Sequence, residues 1–159
     1  MNLILFEPHE IGAPLSRGDR RASHIIKVLR RGVGDEFDAG LVNGPRGKAT
    51  LTAMDVSTLS LAFRWDSAPA PTDSMTLVVG LPRPQTARDL LREMTTLGVS
   101  QLDFVAADKA EPSYASSTLW SSGEWRRHLV AGAEQAFTTC LPEVRWGHSL
   151  ADAIADLPT

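Results

Sequence analysis

Residues 75–107 read MTLVVGLPRPQTARDLLREMTTLGVSQLDFVAA, and this stretch decides the architecture. Met75–Leu81 is a continuous apolar run, the pattern of a strand buried on both faces in a parallel sheet. Thr86–Leu97 then places Ala87, Leu90, Leu91 and Met94 at helical spacing, and Gly98 stands where a helix stops. Gln101–Ala107 is a second strand. The alternation continues downstream. Residues 123–140 read as a helix whose apolar side is Trp125, Leu129, Ala133, Ala136 and Phe137. Val144–Trp146 reads as a short third strand, and Ser149 as the cap of a last helix, Leu150–Leu157. Strands alternating with helices predict an α/β fold with a parallel sheet and right-handed crossovers. The core is expected to enclose Leu61, Phe63, Leu90, Leu91, Leu129 and Phe137. Three strands are few for such a sheet, so the layer reads as unfinished, with faces around Val78, Phe104 and Leu129 partly uncovered.

Upstream, Ser67-Ala68-Pro69-Ala70-Pro71-Thr72-Asp73-Ser74 is a Pro/Ala/Ser linker and the one clear boundary. Before it the period changes to that of strands. Asn2–Phe6, Asp35–Val42, Lys48–Met54 and Leu59–Trp65 are the candidates, with Asn43-Gly44-Pro45-Arg46-Gly47 as a hairpin turn. Together with one helix they predict a small antiparallel meander or barrel.

That helix lies in the most charged part of the chain. Residues 16–31, SRGDRRASHIIKVLRR, hold six basic residues and one acid, inside a chain of formal net charge −3. From residue 69 onward seven basic residues face eleven acidic ones. With Ser23 as N-cap, Arg20, His24, Lys27 and Arg31 fall at spacings of four, three and four. Ile25, Val28 and Leu29 form the opposing apolar stripe, and Gly32 and Gly34 end the helix. A stripe of cations opposite a buried stripe suits a phosphate backbone. Arg20, His24, Lys27, Arg30 and Arg31 are therefore the candidate residues for contacting a polyanion, with Arg17 and Arg21 as second choices.

Other chemistries find no support. One cysteine, Cys140, cannot form an internal disulfide, which fits a reducing compartment and a cytoplasmic location. His9, His24, His128 and His148 have no HxH or HExxH spacing, so no metal site is expected. No Walker-type loop or GxSxG elbow is present, and Gly32-Val33-Gly34 follows a helix rather than a strand. No apolar run approaches the roughly 20 residues of a membrane span. Glu134-Gln135 and Arg126-Arg127-His128 read as solvent-facing, and Trp120 and Trp125 as core or interface anchors.

Taken in order, these pieces resemble a known family. His24-Ile25-Ile26-Lys27-Val28-Leu29-Arg30 followed by Gly34-Asp35 resembles the "H-x-x-x-VLR…GD" signature of the RsmE family. Those proteins are SPOUT-superfamily methyltransferases that modify N3 of a uridine in 16S ribosomal RNA. Leu81-Pro82-Arg83 and Met94-Thr95-Thr96-Leu97-Gly98-Val99 resemble its "LPK…KATELGV" stretch. Glu134-Gln135 followed by Leu141-Pro142-Glu143-Val144 resembles its "EQ…R…P-E-(I/V)" stretch. Glu93, Thr96 and Thr138 stand where the family has lysine, glutamate and arginine.

The resemblance implies a PUA-like RNA-binding barrel over residues 1–68, a linker at 69–73, and the N-terminal part of a SPOUT methyltransferase domain over 74–159. It implies S-adenosylmethionine as cofactor, 16S ribosomal RNA or the small-subunit particle as partner, and a homodimer. The family's glycine-rich loop and knot have no counterpart in this sequence, so no cofactor-binding residue is carried over. The chain reads as part of a longer protein or as a reduced relative. By itself it is expected neither to bind S-adenosylmethionine tightly nor to transfer methyl groups. The alternatives are a non-catalytic RNA-binding module of the same ancestry and, third, a dimerising interaction protein.

Overall fold

The computed structural model describes residues 3–66, 74–107 and 111–157. The chain divides into two compact units. Unit 1 is residues 1–70 together with Phe137–Thr139, and unit 2 is residues 71–136 and 140–159. Most of the sequence-predicted linker, residues 67–73, lies outside the described residues.

Unit 1 holds β1 (Ile4–Phe6), β2 (Leu15–Ser16), β3 (Glu36–Leu41), β4 (Arg46–Met54) and β5 (Thr58–Trp65). They form one sheet in the order β1-β3-β4-β5-β2. Ile4 and Phe6 of β1 share one core with Leu15 of β2, although these strands are the two ends of the sheet. Such a sheet must curl around its own apolar face. A bulge between Leu51 and Ala53 helps, since the extra residue bends β4 and raises its twist. Ala22 and Ile25, both 0% exposed, plug the curl from the helical segment. The predicted meander is antiparallel throughout, but β1 pairs with β3 in parallel. The reason is the connection: β2 and the helical segment lie between the two strands, long enough for a crossover.

The predicted hairpin turn is present. Asn43 takes a left-handed φ of 55°, and Gly44 N donates to Leu41 O at 2.9 Å. Phe137–Thr139 docks on this turn. Asn43 N donates to Thr139 O at 2.8 Å, and Thr139 Oγ1 donates to Gly44 O at 2.6 Å. The Thr139 methyl fills the space a Cβ on Gly40 would need.

Unit 2 holds β6 (Thr76–Gly80), α2 (Pro84–Thr96), β7 (Gln101–Ala106), α3 (Thr118–Ser121), α4 (Glu124–Ala136), β8 (Glu143–Ser149) and α5 (Leu150–Ala155). The three strands lie in the order β6-β7-β8 and pair in parallel, as the alternation of strands with helices predicts. Gly98 ends α2 at φ 82°, and the Ser149 side chain caps α5, accepting from Asp152 N. α2 and α4 pack closely at Gly132, where a Cβ would strike the Arg92 carbonyl. The core is rich in indole: Trp120 stacks on Trp146 at 4.9 Å and meets Phe104 at 5.3 Å.

Several expectations need correction. Phe104 and Leu129 are 0% and 1% exposed, because α2, α3 and α4 cover that face; of the three positions expected to be uncovered, only Val78 is half-buried. Glu134, read as solvent-facing, is 1% exposed. Phe137 lies outside α4. Its φ of 57° breaks the helix after Ala136, and the ring is 37% exposed. Leu91 is enclosed as expected, whereas Leu61, Phe63 and Leu90 are half-buried.

Candidate nucleic-acid interface

The helix that carries the cations starts earlier than its sequence suggests. Asp19, rather than Ser23, is the N-cap: its Oδ1 accepts from Arg21 N at 2.7 Å, and α1 (Arg20–Ser23) follows. Ser23 already has helical dihedrals. From His24 to Val28 the chain forms a π turn, with Leu29 N donating to His24 O at 2.9 Å. The extra residue per turn throws the expected stripe out of register. Ile25 stays in the core, but Val28 emerges 64% exposed. Arg30, at φ 54°, ends the turn before Gly32 and Gly34 are reached.

The outcome for the candidate residues is mixed. Arg20, Lys27, Arg30 and Arg31 are exposed. Among the described residues, Lys27, Arg30 and Arg31 form no ion pair with a carboxylate. His24 is half-buried, and its Nε2 is enclosed with no hydrogen-bond partner among the described residues. Arg17 donates from Nη1 to Asp55 O at 2.9 Å.

Arg21 is committed elsewhere. Its Nε donates to Asp19 Oδ1 and its Nη1 to Leu5 O and Glu10 Oε2. Its Nη2 donates to Glu10 Oε1 at 2.6 Å and Asp19 Oδ2 at 2.8 Å. Every N–H of the guanidinium is thereby used, which removes Arg21 from the phosphate-binding set. The Arg21 hydrogen bond holds the Glu10 carboxyl below its ordinary value. Burial pushes Asp19 upward, but the hydrogen bonds from Arg21 outweigh it and leave Asp19 lowered as well. Sequence reasoning missed this cluster. The signal was present in Glu7-Pro8-His9-Glu10, where Glu10 Oε2 accepts from Glu7 N at 2.7 Å and Pro8 starts a short turn.

In unit 2 Arg88, Arg92, Arg127 and Arg145 each pair with a carboxylate. Asp103, 0% exposed in mid-strand, takes a two-point contact from Arg145 on β8 at 2.7 and 2.8 Å, and Gln101 adds a third hydrogen bond. Arg145 also reaches Asp156 beyond α5 at 2.7 Å. The Arg145 hydrogen bonds hold the Asp103 carboxyl below its ordinary value. On the helices, Glu124 receives Arg88, Arg127 and His128.

Four of the described glycines of unit 2 serve turns and packing, while Gly80 ends β6. Gly98, Gly123 and Gly147 take left-handed φ, and Gly132 admits the α2 backbone. No cofactor-binding residue is assigned among them. Among the described residues no His, Cys, Asp and Glu cluster could hold a metal, and no helix is long and apolar enough to cross a membrane.

Residues 68–159 match the RNA methyltransferase domain family. The chain is 35% identical over 157 residues to the ribosomal RNA small subunit methyltransferase E of Treponema pallidum (strain Nichols), covering 94% of this chain and 58% of that protein. It is 25% identical over 145 residues to ribosomal RNA small subunit methyltransferase E 1 of Borreliella burgdorferi, covering 91% of this chain and 61% of that protein. The chain thus spans about three fifths of the length of these curated relatives. The fold superposes on the crystal structure of a ribosomal RNA small subunit methyltransferase E from Neisseria gonorrhoeae bound to S-adenosyl methionine, with a TM-score of 0.74 at 16% identity, covering 100% of this chain and 66% of that one. With sequence, family domain and fold in agreement, the chain belongs to the RsmE family and carries its RNA methyltransferase domain at residues 68–159.

Proposed function

We propose that this chain serves the methylation of uridine N3 in 16S ribosomal RNA, with unit 1 gripping the RNA. In this reading residues 1–68 are a PUA-like barrel, 69–73 a linker and 74–159 part of a SPOUT domain. S-adenosylmethionine is the methyl donor, two copies associate, and the protein works in the cytoplasm. The observation that carries the RNA contact is the exposed set Lys27, Arg30 and Arg31, without an ion pair among the described residues, on a segment fixed by the buried Ile25. Arg20 and His24 complete the contact. Cations without protein carboxylates are free to displace the counterions of a phosphate chain, and that release sets the salt dependence of binding.

The test is RNA affinity against salt. Lys27→Gln with Arg31→Gln should weaken binding to RNAs of different sequence alike. It should also flatten the log–log salt slope by about 0.7–0.9 per lost phosphate contact. An unchanged slope would remove these residues from the interface. A non-catalytic RNA-binding role is separated by calorimetry with S-adenosylmethionine. Micromolar binding by the 159-residue chain would overturn the assignment of no cofactor-binding residue to it.

A further inference from the structure

We infer that a pocket in unit 1 receives an unpaired guanine base, its N1–H and N2–H donating to the Glu10 and Asp19 carboxylates. The inference rests on the RNA reading of the neighbouring cations and adds a base-specific subsite to it. The pocket has a volume of about 240 Å³ and opens to solvent between Pro14, Leu61 and Phe63 on its apolar side and Glu10, Ser16 and Asp19 on its polar side. Pockets for drug-sized ligands run to roughly 300–1,000 Å³, so this one limits its occupant to a single ring system.

The apolar wall is suited to a flat ligand. Phe63 stacks on Trp65 at 5.1 Å and meets Phe6 edge-on at 5.0 Å, so its ring is held from two directions. A ring held in this way can take a base on its remaining surface, as aromatic side chains do for unpaired bases.

The polar side selects among bases. Two carboxylates face one guanidinium, which leaves a net negative charge. All the N–H groups of Arg21 are engaged, so its guanidinium has none left for a phosphate, and the two carboxylates repel one. An N–H donor finds acceptors. Among the described residues, Glu10 Oε1 and Asp19 Oδ2 each accept only one hydrogen bond, from the same Arg21 Nη2, so both keep lone-pair capacity and lie side by side. Guanine alone presents two adjacent N–H groups on one edge. Adenine and cytosine place a ring acceptor beside their amine, and uracil flanks its single N–H with carbonyls; each sets an oxygen or nitrogen lone pair against a carboxylate. Position in the chain agrees, since Asp19 and Arg21 flank Arg20, the first cation of the proposed backbone contact.

The experiment uses the whole chain and labelled RNA pentamers carrying one guanine, or inosine, adenine, cytosine or uracil, at the centre. Inosine lacks only the N2 amine. The guanine pentamer should bind about tenfold tighter than the inosine pentamer, the worth of one hydrogen bond to a charged acceptor. Ala13→Phe, at an exposed wall position, should close the pocket and equalise the pentamers while leaving the salt slope as in the parent chain. Equal affinities in the parent chain, with the salt slope intact, would overturn the pocket and leave the RNA reading standing. Loss of all pentamer binding together with the salt slope would overturn that reading too. Amide shifts of the pocket residues with N-acetylarginine amide but not with guanosine would assign the pocket to a peptide guanidinium and overturn the proposal.

Discussion

The two units differ in the share of cations they leave without a carboxylate, although unit 1 also pairs Arg21, Lys48 and Arg64. In unit 2, Arg88, Arg92, Arg127 and Arg145 each sit against a carboxylate. In unit 1, Lys27, Arg30 and Arg31 stand on a short turn with no ion-paired partner among the described residues. A net charge of −3 hides this division. Paired cations neutralise and orient; unpaired ones present a field that a polyanion can meet. Even Arg21, in the middle of the basic segment, falls on the structural side of the line, because Glu10 and Asp19 reach it first. Counting charge along a sequence locates the cationic segment, and only the pairing says which members are available.

The sharpest way to break this comparison is to remove one guanidinium from each side. Arg145→Ala leaves Asp103, fully buried between strands, without its two-point partner. A buried carboxylate stripped of its partner costs about 3 kcal/mol or more. Urea unfolding of the variant should therefore show a large drop in midpoint at an unchanged slope. Arg31→Gln should leave the midpoint where it is, since nothing folded depends on that charge. A drop for Arg31→Gln as large as for Arg145→Ala would mean that the basic segment is structural.

Acid sharpens the same contrast at smaller amplitude. Hydrogen bonds from Arg88 and then His128 hold the Glu124 carboxyl at about 2, against an ordinary 4.5. A carboxyl lowered in the folded state stabilises fully above its ordinary value, and that contribution fades as pH falls toward the folded one. Glu10, Asp19 and Asp103 are lowered as well and act in the same direction. Stability should thus decline from about pH 4.5 toward pH 2. Glu124→Gln should be less stable than the parent chain at pH 7 and show a shallower acid limb, so that the two curves converge near pH 2. Parallel curves throughout would mean that Glu124 titrates alike in folded and unfolded chains.

How far the fold could be read depended on which force set each element. The β6–α2–β7 order was legible because apolar burial has a period, and Val79, Leu91 and Phe104 keep to it. Gly98 and Ser149 were legible because caps have their own chemistry. The helix of the basic segment was misplaced for a related reason: Asp19 and Ser23 are both good caps, and Asp19 wins through its further bonds with Arg21. The π turn has no periodic signature, so the exposure of Val28 could not be foreseen. Glu10 and Leu61 meet only through the curl of the sheet, and no spacing in the chain records that.

Phe137 offers the smallest effect and the most direct check on that lesson. Helical spacing placed it in the core beside Leu129, where truncation to alanine would cost about 3–5 kcal/mol. In the structure its ring is 37% exposed, lies 5.2 Å from the Arg46 guanidinium, and projects from backbone at φ 57°. An exposed cation–π contact contributes about 0.5–1 kcal/mol, so Phe137→Ala should lose no more than about 1 kcal/mol. Glycine loses the same ring, but it also relieves a left-handed conformation that costs a side-chain-bearing residue about 1 kcal/mol. Phe137→Gly should therefore be the more stable of the two variants by about that amount, and close to the parent chain. Leu129→Ala, at a site only 1% exposed, should lose about 2–5 kcal/mol in the same urea series. If Phe137→Gly proved less stable than Phe137→Ala, residue 137 would belong to α4 after all, and the helical periodicity would have been the better guide.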